Sequence, residues 1–520
     1  MTTRYLDNRF FTLYFLPFSI GALSTLSFQP FNLFFINFLI LPIFFYLIVY
    51  IKKRSKSIYR KKPYKKNLFI FGSAFGFGFY LIGLHWIINS LTFDESFKIL
   101  IPFGLILIPL FLSLFFSLVI LFVGPFLRMN LGSILLFSGA LAFSDYIRDK
   151  ILTGFPWNLW AYTYSWSLEI IQILNVIGLF AFNLISISIF TFPAVLFFKI
   201  NLLKKILNLF LIIFAIFMLY IYGNHSINSN KKKLELVDQK FNVKVISPNF
   251  ELEYNLEAEE IKRRLNLLIR YSEPVKNQKT LFVWPEGVFS GYSYYEVLNL
   301  KKIFMKHFDE THFILFGINR LGPKKNGTYN SLVIVNNKME IIREYKKQKL
   351  VPFGEFLPFE KQLTKLGLKK ITEGHGSFLK GNRQNNLVIN ELSIFPLICY
   401  EIIFTNLIRL SEESTNLIVN ISEDGWFGNS IGPHQHFAKA IFRSVERDTF
   451  LIRSANKGIS AIINNKGEVL KKLYPNETGY IQLEVPLIKN KNINKNDLIF
   501  FILLFTYIFI FYFYKENNEK

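Results

Sequence analysis

The hydrophobic and polar positions divide the chain into two regimes. Long apolar runs recur near Phe10–Phe28, Leu33–Ile51, Leu68–Leu91, Ile99–Val123, Ser133–Ile151, Ile177–Phe198 and Ile206–Tyr222, and again near Leu498–Tyr514. A helix crossing a bilayer core of about 30 Å needs roughly 20 apolar residues, since lipid offers no partner to a free backbone group. The pattern predicts about eight spans, seven within residues 1–222 and one opening the C-terminal segment 498–520, which ends in a short polar tail. The first run is too long for a signal peptide and lacks a small-residue cleavage site, so it reads as an anchor.

Between residues 223 and 497 the period shortens. Brief apolar runs alternate with amphipathic stretches, the pattern of a layered α/β domain. Strands are predicted at Val243–Ile246, Leu281–Trp284, Ser331–Val335, Glu340–Glu344, Leu392–Cys399, Asn416–Ile421, Phe450–Arg453 and Ile459–Ile463, with a hairpin turn over Asn336–Met339. A helix is predicted after Asn255, with Glu257, Glu259 and Glu260 at its electropositive end and Ile261, Leu265 and Leu268 along one face. Further helices are predicted at Glu401–Leu410 and His436–Arg447.

Composition agrees with a partly lipid-embedded chain: 51% of the 520 residues are hydrophobic and 18% aromatic. The formal net charge of +23 is informative mainly through its placement. The densest basic run, Lys52–Lys66, follows the second span and is cytoplasmic under the positive-inside rule. Counting spans puts Arg128, Lys199, Lys204 and Lys205 on that same side, and Asp94 and Glu95 on the other. Both termini are then cytoplasmic, and 223–497 lies outside. A nucleic-acid partner is not expected.

Some membrane features admit two readings. Gly72, Gly76, Gly78 and Gly83 are not a nucleotide loop, because no strand precedes them; close helix packing is the better account. The tryptophans of Thr153–Trp160 form either an interfacial belt or a lipid-access surface. Asp145 is the main charge expected within a span, where an ionisable group would normally mark a pathway.

The single cysteine, Cys399, excludes an intramolecular disulfide and a Cys-rich metal site. His434 and His436 fit no ligand pattern, and neither a His-Glu-x-x-His nor a Gly-x-Ser-x-Gly run occurs, so no metal or cofactor is expected. Cys399 closes an apolar strand, which suits either a presented nucleophile or a small buried hydrophobe. Glu286 and Lys347 also fall at predicted strand ends. A thiol needs a base or a positive field to become a nucleophile; Glu286 could take its proton, and Lys347 could hold the thiolate or a developing oxyanion.

Trp284-Pro285-Glu286, Tyr345–Glu355 and Ile398-Cys399-Tyr400-Glu401 resemble the Glu, Lys and Cys motifs of the nitrilase, or carbon–nitrogen hydrolase, superfamily. Within it, Leu350–Glu355, Tyr329-Asn330-Ser331, Gly425-Trp426-Phe427-Gly428 and Ser454–Gly458 are similar to apolipoprotein N-acyltransferases. The resemblance spans nearly the whole chain. It implies an α-helical polytopic membrane domain, 1–222, and a nitrilase-like four-layer α-β-β-α sandwich in the periplasm, 223–497, followed by the last span. The setting would be a bacterial inner membrane.

By the same resemblance, Glu286 would be the general base, Lys347 the oxyanion stabiliser and Cys399 the nucleophile. Cys399 would take an acyl chain from a phospholipid and pass it to the α-amino group of a diacylglyceryl-cysteine on an apolipoprotein; a monomer is expected. Glu355 and Glu401 would orient Lys347 or shape the site, unless they are surface carboxylates or ion-pair partners. Asn330 belongs to a matching motif. Tyr400 and Trp426 would line an acyl pocket or merely pack. Phe353–Leu368 is either an arm dipping into the outer leaflet or an ordinary surface loop.

Two departures stand out. Glu423-Asp424-Gly425 replaces the family's usual Asn-Asp-Ala, and no tryptophan falls near Asn249–Leu256. Two alternatives remain: a membrane-tethered amidase using water as acceptor, and a non-enzymatic membrane protein whose outer domain only binds.

Overall fold

The computed structural model describes residues 6–58, 63–253, 256–323, 327–365, 370–371, 377–382, 386–409, 414–488 and 497–517. Parts of three expected features lie outside these residues: 59–62 of the basic loop, 366–368 of the suggested arm, and Leu410 at the end of a predicted helix. The chain forms two units, Met1–Ser226 with Lys495–Lys520, and Ile227–Asn494.

The first unit is helical. Its principal helices are α1 (Leu16–Ser24), α2 (Asn37–Ile58), α3 (Pro63–Leu84), α4 (Ile101–Val123), α5 (Leu131–Lys150), α6 (Leu179–Thr191) and α7 (Leu202–Glu235), with a C-terminal helix at Leu498–Asn517. Among the described residues, five helical stretches are long and apolar enough to cross a membrane: Phe34–Arg54, Tyr64–Leu91, Glu95–Phe126, Leu179–Phe197 and Leu202–Glu235. The expected first and last spans correspond to the shorter apolar helices Phe11–Ser27 and Leu498–Tyr514. The expected fifth corresponds to α5, which carries Asp145, Arg148, Asp149 and Lys150 in its last turns.

Small residues bring α3 against its neighbours. A Cβ on Gly76 would lie 2.8 Å from Ser113 Cα and one on Gly72 2.9 Å from Ser117 Cα, both on α4, while Gly78 faces the Phe18 carbonyl of α1. Lipid supplies no hydrophobic drive between helices, so such close backbone approach carries the packing. Asp145 is internally paired: Arg148 donates to it at 2.7 Å and Asn183 at 2.9 Å. Trp157 and Trp160 are buried, against Trp86 in one case and Phe28 and Phe79 in the other. They are core residues of the unit, contrary to both the belt and the lipid-access expectations.

The second unit is built on two six-stranded sheets. One contains β1 (Lys240–Ser247), β2 (Thr280–Val283), β3 (His312–Leu321), β4 (Thr328–Val335) and β5 (Ile341–Lys346); the other contains β6 (Leu387–Ile389), β7 (Leu392–Ile398), β8 (Leu417–Glu423), β9 (Phe450–Asn456), β10 (Ser460–Ile463) and β11 (Val469–Leu473). The closing strand β12 (Gly479–Pro486) returns to β1, giving the orders β12-β1-β2-β3-β4-β5 and β11-β10-β9-β8-β7-β6. Each sheet has a parallel centre, β1-β2-β3 or β7-β8-β9, flanked by antiparallel strands.

The inner faces meet directly. Ser454 of β9 donates to the Ile246 carbonyl of β1 at 2.8 Å, and Ile421 of β8 comes against Gly317 of β3. On the outer face of the first sheet lies α8 (Ala258–Ser272), whose Ile261, Leu265, Leu268 and Ile269 pack with Ile246, Phe282, Trp284 and Phe316. The helical spacing of those residues explains the fit, and each fully buried aliphatic side chain contributes roughly 1.5–3 kcal/mol. α9 (Gly432–Arg447) packs on β9. Strands β3, β6, β11 and β12 were not anticipated from the sequence. The helix predicted at Glu401–Leu410 is instead a 3-10 turn, Cys399–Ile403, followed by a short helix, Thr405–Arg409.

Candidate active site

Three strand ends carry the predicted trio. β2 stops at Val283 because Pro285 has no N–H for the ladder. Trp284 is buried and donates to Ser272 at 3.0 Å, fixing the exit that presents Glu286. Lys347 follows β5 directly, its N–H bonded to the Asn330 carbonyl at 2.9 Å. Because β4 is antiparallel to both β3 and β5, β5 runs in the same sense as β2 and β3, so Glu286 and Lys347 emerge at one edge of the sheet. Cys399 leaves the C-terminal end of parallel β7 in the other sheet. Crevices at the carboxyl ends of parallel strands are where such folds gather chemistry.

Cys399 has φ +50°, a left-handed backbone uncommon outside glycine. It is the first residue of a sharp elbow between strand and 3-10 turn. Burial pushes its thiol well above the ordinary range, and the negative charge of Glu286 adds to this while Lys347 opposes it. The resting sulfur is therefore protonated, so a nucleophile forms only as a base takes the proton.

The Glu286 side chain is held at both oxygens. One oxygen accepts from Asn330 Nδ2 at 2.7 Å and the other from the Glu423 N–H at 3.0 Å. Lys347 Nζ lies 3.5 Å from Glu286 and 2.8 Å from Glu355. Burial alone would lower the Lys347 ammonium, but Glu286, Glu355 and Cys399 together raise it, so it stays charged. Asn330 also donates to Glu355 at 2.8 Å, and the second oxygen of Glu355 accepts from the Val351 N–H at 2.9 Å.

Glu401 joins the two strand ends. One oxygen accepts from Tyr345 Oη at 2.9 Å, Gln348 N at 2.6 Å and Lys349 N at 3.0 Å; the other accepts from Ile398 N at 2.9 Å. Burial raises this carboxyl to about 7. Both Glu355 and Glu401 are buried, so neither is a surface carboxylate.

The remaining predicted residues are placed as follows. Tyr400 is buried with its ring against Phe404, and Trp426 is half-buried in the turn Asp424–Phe427. In the suggested arm Phe353 and Phe359 are exposed, whereas Leu357 is buried.

A second buried cluster escaped the sequence reading. Asp424 pairs with Arg453 at 2.7 Å, accepts from Ser422 at 2.6 Å and lies 3.0 Å from His436 Nδ1. His436 Nε2 lies 3.3 Å from the Cys399 carbonyl oxygen. Glu423 accepts from Gly425 N at 3.0 Å and Asn456 Nδ2 at 2.9 Å, and burial raises it to about 8. The available signal was polar residues, Asn420, Ser422, Arg453 and Asn456, set within otherwise apolar strands. Among the described residues no cluster of three or more His, Cys, Asp or Glu side chains could hold a metal ion.

Comparison with known proteins adds an independent result. Residues 20–192 match the family model described as apolipoprotein N-acyltransferase N-terminal domain, and residues 252–491 match that of carbon-nitrogen hydrolase. The chain is 30% identical over 481 residues to the apolipoprotein N-acyltransferase of Rhodopseudomonas palustris, covering 90% of this chain and 88% of that one. It is 33% identical over 478 residues to the Rickettsia typhi protein of the same name, covering 90% and 91%. Among solved structures, Saccharomyces cerevisiae Nit3, a member of the nitrilase superfamily, is similar at 16% identity and a TM-score of 0.36, over 48% of this chain and 91% of Nit3.

Proposed function

The chain belongs to the apolipoprotein N-acyltransferase family, and from that premise we propose that it moves a fatty acyl chain from a membrane phospholipid to the α-amino group of a diacylglyceryl-cysteine, through a thioester on Cys399. The observation that carries this reading is the meeting of Glu286, Lys347 and Cys399 from three separate strand ends, with Glu286 and Lys347 acting electrostatically on the thiol.

In the first half-reaction the thiol proton passes to Glu286 as sulfur attacks the ester carbonyl. The carbonyl oxygen gathers negative charge beside the Lys347 ammonium. When the tetrahedral intermediate collapses, the C–O bond breaks, Glu286 returns the proton to the departing alkoxide, and a lysophospholipid leaves. In the second half-reaction the acceptor amine attacks the thioester, Glu286 takes a proton from the nitrogen, and the thiolate departs to be reprotonated. The products are the amide and the free thiol. Asn330 and Glu355 hold the base and the cation in place. No metal or cofactor is needed to balance these steps.

The membrane reading rests on the apolar helices, above all α7, where Leu203, Ile206, Leu207, Phe210, Leu211 and Ile213 are exposed. Exposed apolar side chains on this scale call for lipid. We extend this to eight spans in a bacterial inner membrane, both termini cytoplasmic, 223–497 periplasmic, and a monomeric enzyme; the support is the charge of the loops and the family.

The test is to incubate the full-length protein in phospholipid vesicles and look for a hydroxylamine-sensitive acyl group on Cys399. Its appearance, and its transfer to a diacylglyceryl peptide, supports the reading. A wild-type protein that never becomes acylated overturns it. An acyl-enzyme that decays to free fatty acid in the presence of the peptide establishes the hydrolase alternative.

A further inference from the structure

Against the Cys399 elbow lies a buried group whose chemistry the trio does not use. His436 projects from α9, with one ring nitrogen, Nδ1, 3.0 Å from both Asp424 Oδ1 and Arg453 Nη2. The other, Nε2, is 3.3 Å from the Cys399 carbonyl oxygen. The ring is fully buried and packs T-shaped against Phe427, the ring centroids 5.2 Å apart. Asp424 and Arg453 pair at 2.7 Å, so the charges beside the ring are mutually neutralised. Arg453 is anchored in turn by Asn420 and by the Ile459 carbonyl, and Asp424 by Ser422.

The contact at Nε2 fixes one proton: a carbonyl oxygen only accepts, so Nε2 must carry it. At Nδ1 the two neighbours act oppositely, since Asp424 only accepts and Arg453 only donates. Burial, with the Arg453 charge in the same sense and Asp424 opposing, lowers the ring to about 4.

What the hydrogen bond holds is unusual. Cys399 has φ +50° without being a glycine, a conformation that survives only where its surroundings over-determine it. Glu401 fixes the Leu397–Ile398 peptide, one unit before the peptide that enters the cysteine, through the Ile398 N–H. The peptide after the cysteine is the one His436 grips. A hydrogen bond to that carbonyl also polarises the Tyr400 N–H of the same peptide unit.

We propose that His436, held by Asp424 and Arg453 and donating its Nε2–H to the Cys399 carbonyl, is a positioning residue that holds the Cys399 elbow in its left-handed conformation and orients the Cys399–Tyr400 peptide for attack. The proposal rests on Cys399 being the nucleophile. It is distinct from the roles of Glu286 and Lys347, which act on the sulfur and the oxyanion directly.

The test compares two substitutions of similar size in the full-length protein in phospholipid vesicles. Gln can present a side-chain N–H to the carbonyl; Met cannot. The single-turnover rate of acyl-enzyme formation in His436→Gln should stay within about 5-fold of wild type, while His436→Met should lose about 30-fold or more with an unchanged KM for phospholipid, a split in the range left by removing one preorganised contact. Equal rates in the two variants, at either level, overturn the proposal, because packing alone would then account for the site. A measurement on the wild type holds even if neither variant folds. With 15N-labelled histidine in lipid, solid-state NMR should show a hydrogen-bonded His436 Nε2–H between pH 5.5 and 8, and an Nε2 without a proton refutes the assignment. A wild type that never acylates Cys399 defeats the acyl-transfer reading separately, and the Nε2 proton still decides this one.

Discussion

Lys347 Nζ sits closer to Glu355, at 2.8 Å, than to Glu286, at 3.5 Å. Glu286 and Glu355 together keep the buried ammonium charged, and Glu286 is also held by the neutral Asn330 amide and a backbone N–H.

Removing the trio should separate its roles. Cys399→Ala abolishes acylation, while Glu286→Gln and Lys347→Ala each lower the single-turnover rate by about 10²-fold or more, the usual loss for a general base or an oxyanion donor. Near-normal rates in either variant, measured by loss of phospholipid acyl chain to Cys399, would contradict the assignment.

Glu355→Gln probes the closer of the two carboxylates. Glu355 accepts from Lys347 and Asn330 on one oxygen and from Val351 N–H on the other. A Gln amide must turn a donor towards one of these donors. Acyl-enzyme formation is expected to fall by roughly 10- to 100-fold with the fold retained; an effect under 2-fold would show that Lys347 does not depend on this partner.

Glu401→Gln tests the joint between the elbow and the lysine loop. Four donors converge on this carboxylate, and an amide nitrogen cannot accept from any of them. Stranding a buried donor costs about 1–3 kcal/mol, so unfolding should shift to lower denaturant by a corresponding amount. An unchanged midpoint would mean the four bonds are dispensable.

Gly317→Ala tests how closely the sheets must approach. An added Cβ would lie 2.9 Å from Glu286 Cα and 3.2 Å from Ile421 Cδ1. Backbone cannot yield as a side-chain tip can, so Glu286 moves. A rate loss of roughly 10-fold or more is expected from such a displacement of Glu286, against little change in rate for Gly479→Ala, where a Cβ meets nothing within 4 Å and the φ of +132° costs stability instead.

The pH dependence of stability has a definite sign. Burial raises Glu423 to about 8 and Glu401 to about 7, whereas an ordinary Glu titrates near 4.3. Above that ordinary value the unfolded chain has lost protons that the folded protein keeps, so stability declines as pH rises through 7 and 8. His436, lowered to about 4, acts at the other end. From an ordinary value of about 6.5 downwards the unfolded chain gains a proton the folded ring refuses, so its contribution is lost as pH falls through 4. Glu423→Gln should flatten the decline between pH 5 and 8 when Tm is followed across pH; an identical slope would show that Glu423 is not held neutral.

Much of this protein was legible one residue at a time. Span-length apolar runs, the switch to short strands after residue 223, and the trio Glu286, Lys347 and Cys399 with Glu355, Glu401 and Asn330 all follow from local pattern or motif resemblance. Local pattern failed where tertiary contacts outvoted it. Trp157 and Trp160 look like an interfacial belt but are core residues, because Phe28, Phe79 and Trp86 reach them from distant helices. The strand β3 was not anticipated, although it places Gly317 against Glu286.

The sequence by itself determined which groups are candidates for the chemistry, since a thiol, a carboxylate and an ammonium are properties of single residues. The tertiary structure decided their surroundings. Burial raises the Cys399 thiol, Glu286 and Glu355 keep Lys347 charged, and His436, absent from every motif, reaches the Cys399 carbonyl from a helix 37 residues further along the chain. Charge, tautomer and backbone strain depend on what lies within a few ångströms, and only the folded chain brings those neighbours together.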